Sequence, residues 1–379
     1  MFELEEVRPQ KVCIKVVGVG GAGGNVINNM IASSIKVVQY IAINTDSQAL
    51  ESSLAPQKVH IGTTVTRGLG AGSKPEIGKE AALEDRTKIA EALEGADMVF
   101  ITAGMGGGTG TGASPIVAEV ARELGALTVA VVTKPFFYEG AIRMNNAQMG
   151  LAELEKNIDA LIIIPNDRIS LVAEKGAPLL DAFALANNVL KNAVQGIADV
   201  ILKPGLINVD FADVRTVMEH AGRVVMGIGV GKGESRAMEA AKRAISNPLL
   251  EDTSIEDAKG ILVNITGGLD LSHTDLGDIM GLIYDSVDRK KSNIKMGAII
   301  DADLKEEIRV TVIASGINGK ENIKVEPKRY TPKAINLRAS ERVLSKKLAA
   351  DEPHPEAMPY EEPLDVPTFL RKIPRELEL

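Results

Sequence analysis

Six glycines fall within the nine positions Gly104-Met105-Gly106-Gly107-Gly108-Thr109-Gly110-Thr111-Gly112. Each adds conformational freedom that folding must remove, so a run this dense is costly unless something fills the turn it makes. Without Cβ atoms, a concave turn lets successive backbone N–H groups converge on an anion. Two threonines add hydroxyl donors. The run follows an apolar stretch, Met98–Ala103, and precedes a helical one from Ala113. In that context a helix N-terminus faces a phosphate.

A second glycine loop lies upstream. Gly18-Val19-Gly20-Gly21-Ala22-Gly23-Gly24-Asn25 follows the alternating run from Val12 and opens a helix, with Asp46 beyond the next strand. It fits GxGxxG, the pattern of a dinucleotide-binding Rossmann unit, and also tight strand–helix packing without a ligand. A nicotinamide oxidoreductase is therefore the rival reading. One such loop serves a dinucleotide, whereas two separated loops suit a triphosphate. No GxxxxGK[ST] occurs, so phosphate charge would be met by backbone N–H groups, Mg²⁺ and Arg143 instead of a P-loop lysine.

Around these loops, from Val12 to about Glu174, short apolar runs alternate with helical stretches. The expected strands are Val12–Val19, Val37–Ile43, Met98–Ala103, Thr128–Thr133 and Ala160–Ile164; Glu76–Leu93 and Ser114–Leu124 read as helices. That alternation predicts a parallel sheet covered on both faces. Pro178–Leu202 is apolar nearly all round, as in a helix buried between two bodies, and Lys203-Pro204-Gly205 ends it. A smaller α+β unit follows. Its expected strands are Val224–Gly231, Gly260–Thr266, Ile294–Ile300 and Ile308–Ile313; its expected helices are Ser235–Ser246 and Thr274–Asp288. Beyond Ile317 hydrophobicity falls while charge and proline rise, the composition of a disordered linker.

Composition narrows the partners. A formal charge of −8 argues against nucleic acid, which needs a basic face. The lone Cys13 rules out an intrachain disulfide, and the four histidines have no ligand spacing. With no basic leader and no apolar run near ~18 residues, the expectation is a cytosolic chain with no direct membrane insertion.

The run Gly106–Gly112, the first loop and Asn208-Val209-Asp210-Phe211-Ala212-Asp213 together resemble the tubulin/FtsZ family, over about Lys11 to Gly316 with a matching tail. The resemblance implies a Rossmann-like α/β GTPase domain (11–175), a long central helix (176–203), a smaller α+β domain (208–316), a flexible linker (317–362) and a partner-binding peptide (363–379). It implies a polymerising GTPase of bacterial cell division that binds GTP/GDP with Mg²⁺ and forms a head-to-tail homopolymer, a filament at midcell.

For the site, the resemblance implies that Gly21, Ala22, Gly23, Gly24 and Asn25, with Gly104, Gly107, Gly108, Thr109 and Gly110, hold phosphates. Ala71 and Gly72 would close over the γ-phosphate. Thr133, Glu139 and Arg143 would line the ribose and phosphate side; an exposed i, i+4 ion pair is the other reading of Glu139 and Arg143. Phe183 would stack on guanine or pack in the core, or both. Asn166 and Asn187 would bond the guanine edge, although many family members carry an acid where this chain has Asn187 or Asn188. Asp210 and Asp213 read from sequence as a helix cap with a second acid at the dipole. By resemblance they are the catalytic acids that orient water against the GTP of the adjacent subunit. A non-catalytic nucleotide-binding scaffold is the third reading left open.

In the tail, Val366, Phe369, Leu370 and Ile373 have amphipathic spacing. By resemblance, Leu364–Ile373 would bind membrane-tethering division proteins of the FtsA and ZipA type.

Overall fold

The computed structural model describes residues 12–33, 38–169, 178–203, 205–219, 221–247, 255–288 and 291–316. The expected linker and tail peptide lie outside these residues, as do Val37 and Pro204.

Ten strands form one sheet: β1 (Ile14–Val19), β2 (Gln39–Asn44), β3 (Gln57–His60), β4 (Met98–Gly104), β5 (Leu127–Lys134), β6 (Ala160–Pro165), β7 (Gly222–Lys232), β8 (Gly260–Gly267), β9 (Asn293–Ile300) and β10 (Glu307–Ser315). The order is β3-β2-β1-β4-β5-β6-β7-β10-β8-β9. Neighbours from β3 through β7 are parallel, β10 is antiparallel to β7 and β8, and β8 is parallel to β9. The parallel part reads as unbroken apolar runs because both faces are covered; β1 is buried at every position.

Helices fill the connections. They are α1 (Gly20–Ala32), α2 (Ser47–Glu51), α3 (Thr63–Thr66), α4 (Pro75–Glu84), α5 (Arg86–Leu93), α6 (Thr109–Glu123), α7 (Ala141–Glu155), α8 (Asn166–Ile169), α9 (Leu179–Leu202), α10 (Phe211–Met218), α11 (Arg236–Ile245) and α12 (His273–Asp285). Side chains of α1, α9 and α10 build the core on one face of the sheet, and those of α4 to α7 the core on the other. A third cluster lies under α11 and α12.

Three observations differ from the sequence reading. Glu76–Leu93 is two helices broken at Asp85, whose φ of −109° and ψ of 27° leave the helical region. Its carboxylate accepts the buried Gly62 N–H at 2.7 Å, a bond that an unbroken helix would not offer. The helix after the second glycine loop starts at Thr109, because Gly110 and Gly112 seat it against neighbouring backbone. A Cβ on Gly112 would lie 1.9 Å from the Pro75 carbonyl oxygen, and one on Gly110 2.8 Å from that of Gly104. Finally, the strands of the α+β unit continue the first sheet. β6 and β7 join through three residue pairs, Ala160↔Gly222, Leu161↔Arg223 and Ile162↔Val224.

α9 runs along this sheet for 24 residues, about 36 Å at 1.5 Å per residue. Ala186, Leu190, Ala193, Val194, Ile197 and Val200 enter the core that also holds Val224, Leu262 and Ile313. Its apolar breadth thus reflects burial against both parts of the sheet.

Candidate functional site

Strand order 3-2-1-4-5-6 reverses direction between β1 and β4, and that reversal opens a crevice at the carboxyl ends of the strands. α1 leaves β1 toward one face and α6 leaves β4 toward the other, so the two glycine loops meet above the gap. They touch: a Cβ on Gly20 (φ +71°) would lie 2.9 Å from the Gly110 nitrogen, and one on Gly104 2.7 Å from the Ala22 Cβ.

A cleft of about 590 Å³ occupies this position. Of the residues expected from the sequence, its walls contain Gly21, Ala22, Asn25, Gly104, Gly107, Gly108, Thr109, Gly110, Thr133, Glu139, Arg143, Asn166, Phe183 and Asn187. Asn44, Asp46, Gly70, Ser73 and Pro135 also line it. Gly23 packs against the Thr102 carbonyl, and Ala71 is buried against Gly108. Gly23, Gly24, Ala71 and Gly72 are not among the lining residues. Asn44 was legible in principle, since parallel strands end at such a crevice. Gly70 and Ser73 flank Ala71 and Gly72, which the resemblance places over the γ-phosphate, in the run 68–73.

The electrostatics suit an anion. Neither α1 nor α6 has a side-chain cap or an acid in its first turn. α2, α10 and α12 are capped by Asp46, Asp210 and Ser272, while α3, α4, α5, α7, α9 and α11 share the lack of a side-chain cap but do not pair two N-termini at one cleft. Two uncapped N-termini therefore present unsatisfied N–H groups and the positive ends of their dipoles to one cleft. Gly21 and Gly107 have nothing within 4 Å of where a Cβ would stand, so their missing side chains leave open space. The lining acids are engaged by protein donors. Asp46 accepts from the N–H groups of Gln48 (2.9 Å) and Ala49 (3.2 Å). Glu139 accepts the Phe136 N–H at 2.8 Å and pairs with Arg143.

The far end of the cleft is different. Asn166 is 6% exposed, and its side-chain oxygen has no partner among the described residues. A buried amide oxygen left so costs about 1–3 kcal/mol, which a ligand donor would relieve. Phe183, 40% exposed, stands edge-on to Phe136 with ring centroids 5.5 Å apart. Asn187 follows one turn later on α9. An aromatic face beside amides fits a planar heterocycle bearing N–H donors.

Asp210 and Asp213 are elsewhere. Phe183 lies in the first turns of α9, whereas Asp210 follows its last residue, Leu202, by a short loop. Along α9 the cleft is lined as far as Leu190, and the twelve residues from there to Leu202 span roughly 18 Å. α10 adjoins the amino ends of the parallel strands, opposite the cleft, since Arg215 donates to the carbonyl of Gly125, just before β5 begins. Asp210 caps α10 by accepting the Asp213 N–H at 2.7 Å, and Asp213 pairs with Lys295 at 2.6 Å.

Fold and cleft thus define a Rossmann-like protein whose cleft is walled by glycine backbone and two helix N-termini, a setting that suits an anion, without a P-loop. Residues 13–174 match the Tubulin/FtsZ family, GTPase domain, and residues 222–318 match the FtsZ family, C-terminal domain. Cell division protein FtsZ of Pseudomonas putida is 53% identical over 320 residues, 84% of this chain and 80% of that one. Its counterpart in Coxiella burnetii is 48% identical over 98% of this chain and 99% of its own. A solved structure described as an empty FtsZ dimer from M. jannaschii has a TM-score of 0.78 at 44% identity, covering 82% of this chain and 90% of that one. The chain belongs to the tubulin/FtsZ family, in its FtsZ branch.

Proposed function

We propose that this chain is a polymerising GTPase of bacterial cell division, and that it hydrolyses GTP at the junction between two copies. The observation that carries the reading is the placement of Asp210 and Asp213 beyond the far end of α9, beside the amino ends of the parallel strands, whereas the cleft of their own chain lies at the carboxyl ends. A head-to-tail neighbour would bring its acids over that cleft, and such an interface repeats without closing. Exposed apolar side chains at both ends support it. Leu69 (85%), Phe137 (77%) and Ile142 (79%) belong to the loops and helix start around the cleft, and Leu206 (68%) belongs to the loop before Asp210. The FtsZ names of the relatives support cell division as the setting and self-association as the state.

In this reading the glycine loops and the helix N-termini bind the phosphates. Arg143 meets the remaining charge, Phe183 stacks on the base, and Asn166 accepts from a guanine N–H. Asp210 and Asp213 of the neighbour polarise and orient the attacking water, so catalysis is by positioning and electrostatics. Mg²⁺ fits a cleft of this kind. It is held largely by phosphates and water with one or two protein oxygens, and Asp46 carries a lining carboxylate with one oxygen unused by the recorded α2 bonds. It would neutralise charge on the phosphates. We further propose the division at residues 175, 203 and 316, with tail residues 364–373 docking FtsA- or ZipA-type tethers at midcell.

The test is phosphate release with GTP, ATP or NAD present, followed against protein concentration together with light scattering. GTP alone should support turnover, and activity per molecule should rise from near zero once scattering appears. Specific activity independent of concentration, or equal use of ATP, overturns the reading.

A further inference from the structure

Thr45 follows β2 and is completely buried, yet it is polar on both sides. Its hydroxyl lies 2.6 Å from that of Thr109, which opens α6 and lines the cleft. Its carbonyl accepts the Gly70 N–H at 3.3 Å and the Thr66 hydroxyl at 3.2 Å. The two residues after it continue the contact: Asp46 bridges to Leu69, and the Ser47 N–H donates to the Gly68 carbonyl at 3.1 Å.

The loop these contacts hold is unusual. Arg67, Gly68, Gly70, Gly72 and Ser73 all have φ between 54° and 84°. Arg67 and Ser73 pay a steric cost there that their surroundings must offset. On the upstream side α3 is fixed. Glu84 accepts the N–H groups of Thr64 (3.0 Å) and Val65 (3.3 Å), and Asp85 accepts that of Gly62. The Thr64 donors also hold the Glu84 carboxyl below its ordinary range. Beyond α3, the recorded bonds from Gly68–Gly70 to the body of the protein run to residues 45–47.

Two hydroxyls share one short bond, so only one of them donates in it. A phosphate oxygen at the start of α6 can only accept. With such an anion present, Thr109 turns its O–H to the ligand and Thr45 must donate to Thr109. The Thr45–Thr109 bond is then set by the ligand, and the same residue, through its backbone carbonyl, holds Gly70. We propose that Thr45 is a positioning residue that couples an anion seated at Thr109 to the loop 67–73, which carries the exposed Leu69. The inference rests on reading the cleft as a GTP site.

The experiment compares the full-length wild type with Thr45→Val and Thr45→Ser. Amide hydrogen exchange over residues 66–74 is read with and without a non-hydrolysable GTP analogue, beside GDP affinity, melting temperature and GTP turnover. In wild type the analogue should slow exchange in this segment. Thr45→Val should keep GDP affinity within about threefold, lose that protection and lower kcat about tenfold with little change in KM. Thr45→Ser, which restores the hydroxyl, should recover both. Retained protection in Thr45→Val overturns the coupling. So does a loss of GDP binding and melting temperature that matches the loss of turnover, or a failure of serine to rescue. A wild type that binds the analogue without hydrolysing GTP or assembling refutes the polymerising-GTPase reading, while the exchange comparison still decides the role of Thr45. No binding at all refutes both.

Discussion

Gly107 and Gly112 belong to one glycine-rich run and are glycine for different reasons. A Cβ at Gly107 would meet nothing within 4 Å, whereas one at Gly112 would sit 1.9 Å from the Pro75 carbonyl oxygen. Gly107→Ala should therefore leave stability within about 0.5 kcal/mol of wild type and weaken GDP binding at least ~10-fold, because its methyl enters the phosphate seat. Gly112→Ala should cost about 1–3 kcal/mol by forcing α4 and α6 apart. Urea titration and nucleotide binding by fluorescence separate the two. This contrast also marks the limit of what the run of six glycines revealed. It announced close approach of backbone, and read alone that approach seemed to need a ligand. In the fold, Gly104, Gly106, Gly108, Gly110 and Gly112 each meet protein atoms, and Gly107 faces open space. A sequence gives no way to divide glycines between packing and binding, because both demand the same absent side chain. Phe183 was ambiguous for a related reason: an apolar stripe does not say which of its members ends at a cleft.

At the scale of elements, strands and helices were legible where hydrophobic period and glycine punctuation agreed, as in β1, β4 and α9. The break between α4 and α5 was not, since residues 76–93 carry no proline, and Asp85, although a residue type that starts helices, reads equally well as a surface acid within one. What breaks the helix is a distant donor, the Gly62 N–H reached by Asp85. β3 escaped because it is short and three of its four residues are polar, with only Val59 buried. The pairing of α11 with α12 was equally invisible. Arg236, the first residue of α11, pairs with Asp270 and donates to Asp275 at 2.9 Å and to the Asp270 carbonyl at 2.8 Å. Burial alone would raise the Asp275 carboxyl, but bonds from Arg236 and Ser272 outweigh it and the net shift is downward. Asp270 is lowered by its bond to Arg236. Carboxyls depressed in the folded state contribute stability above their unfolded values near 4, and lose it as pH falls through the folded values. Arg236→Met should thus cost about 1–2 kcal/mol at pH 7, through the lost hydrogen bonds. The gap to wild type should narrow toward pH 3. Urea denaturation at the two pH values checks this; an equal gap at both would mean that the arginine acts through packing alone.

Across the whole molecule, the sheet continues from the nucleotide-binding strands into the α+β strands through the three pairs between β6 and β7. α9 packs along both parts. That rigid path explains how a cleft at one end and acids at the other keep a fixed separation, as a repeating head-to-tail contact requires. It also yields the sharpest test of shared catalysis. Asp210→Asn is the variant of choice, because asparagine caps a helix about as well as aspartate, so α10 should survive while the charge is lost. This variant should bind GTP normally and turn it over at least ~10-fold more slowly when assembled. Wild type held below its assembly threshold should be nearly inactive. Adding an excess of the inactive variant should then raise turnover per wild-type molecule, since mixed filaments form and each wild-type subunit lends its acids to a neighbour's nucleotide. If instead the acids only cap α10 and every chain holds a complete site, the added variant changes nothing, and Asp210→Asn alone turns over near the wild-type rate. Phosphate release across a titration of variant into dilute wild type, with scattering as the record of assembly, distinguishes the two outcomes.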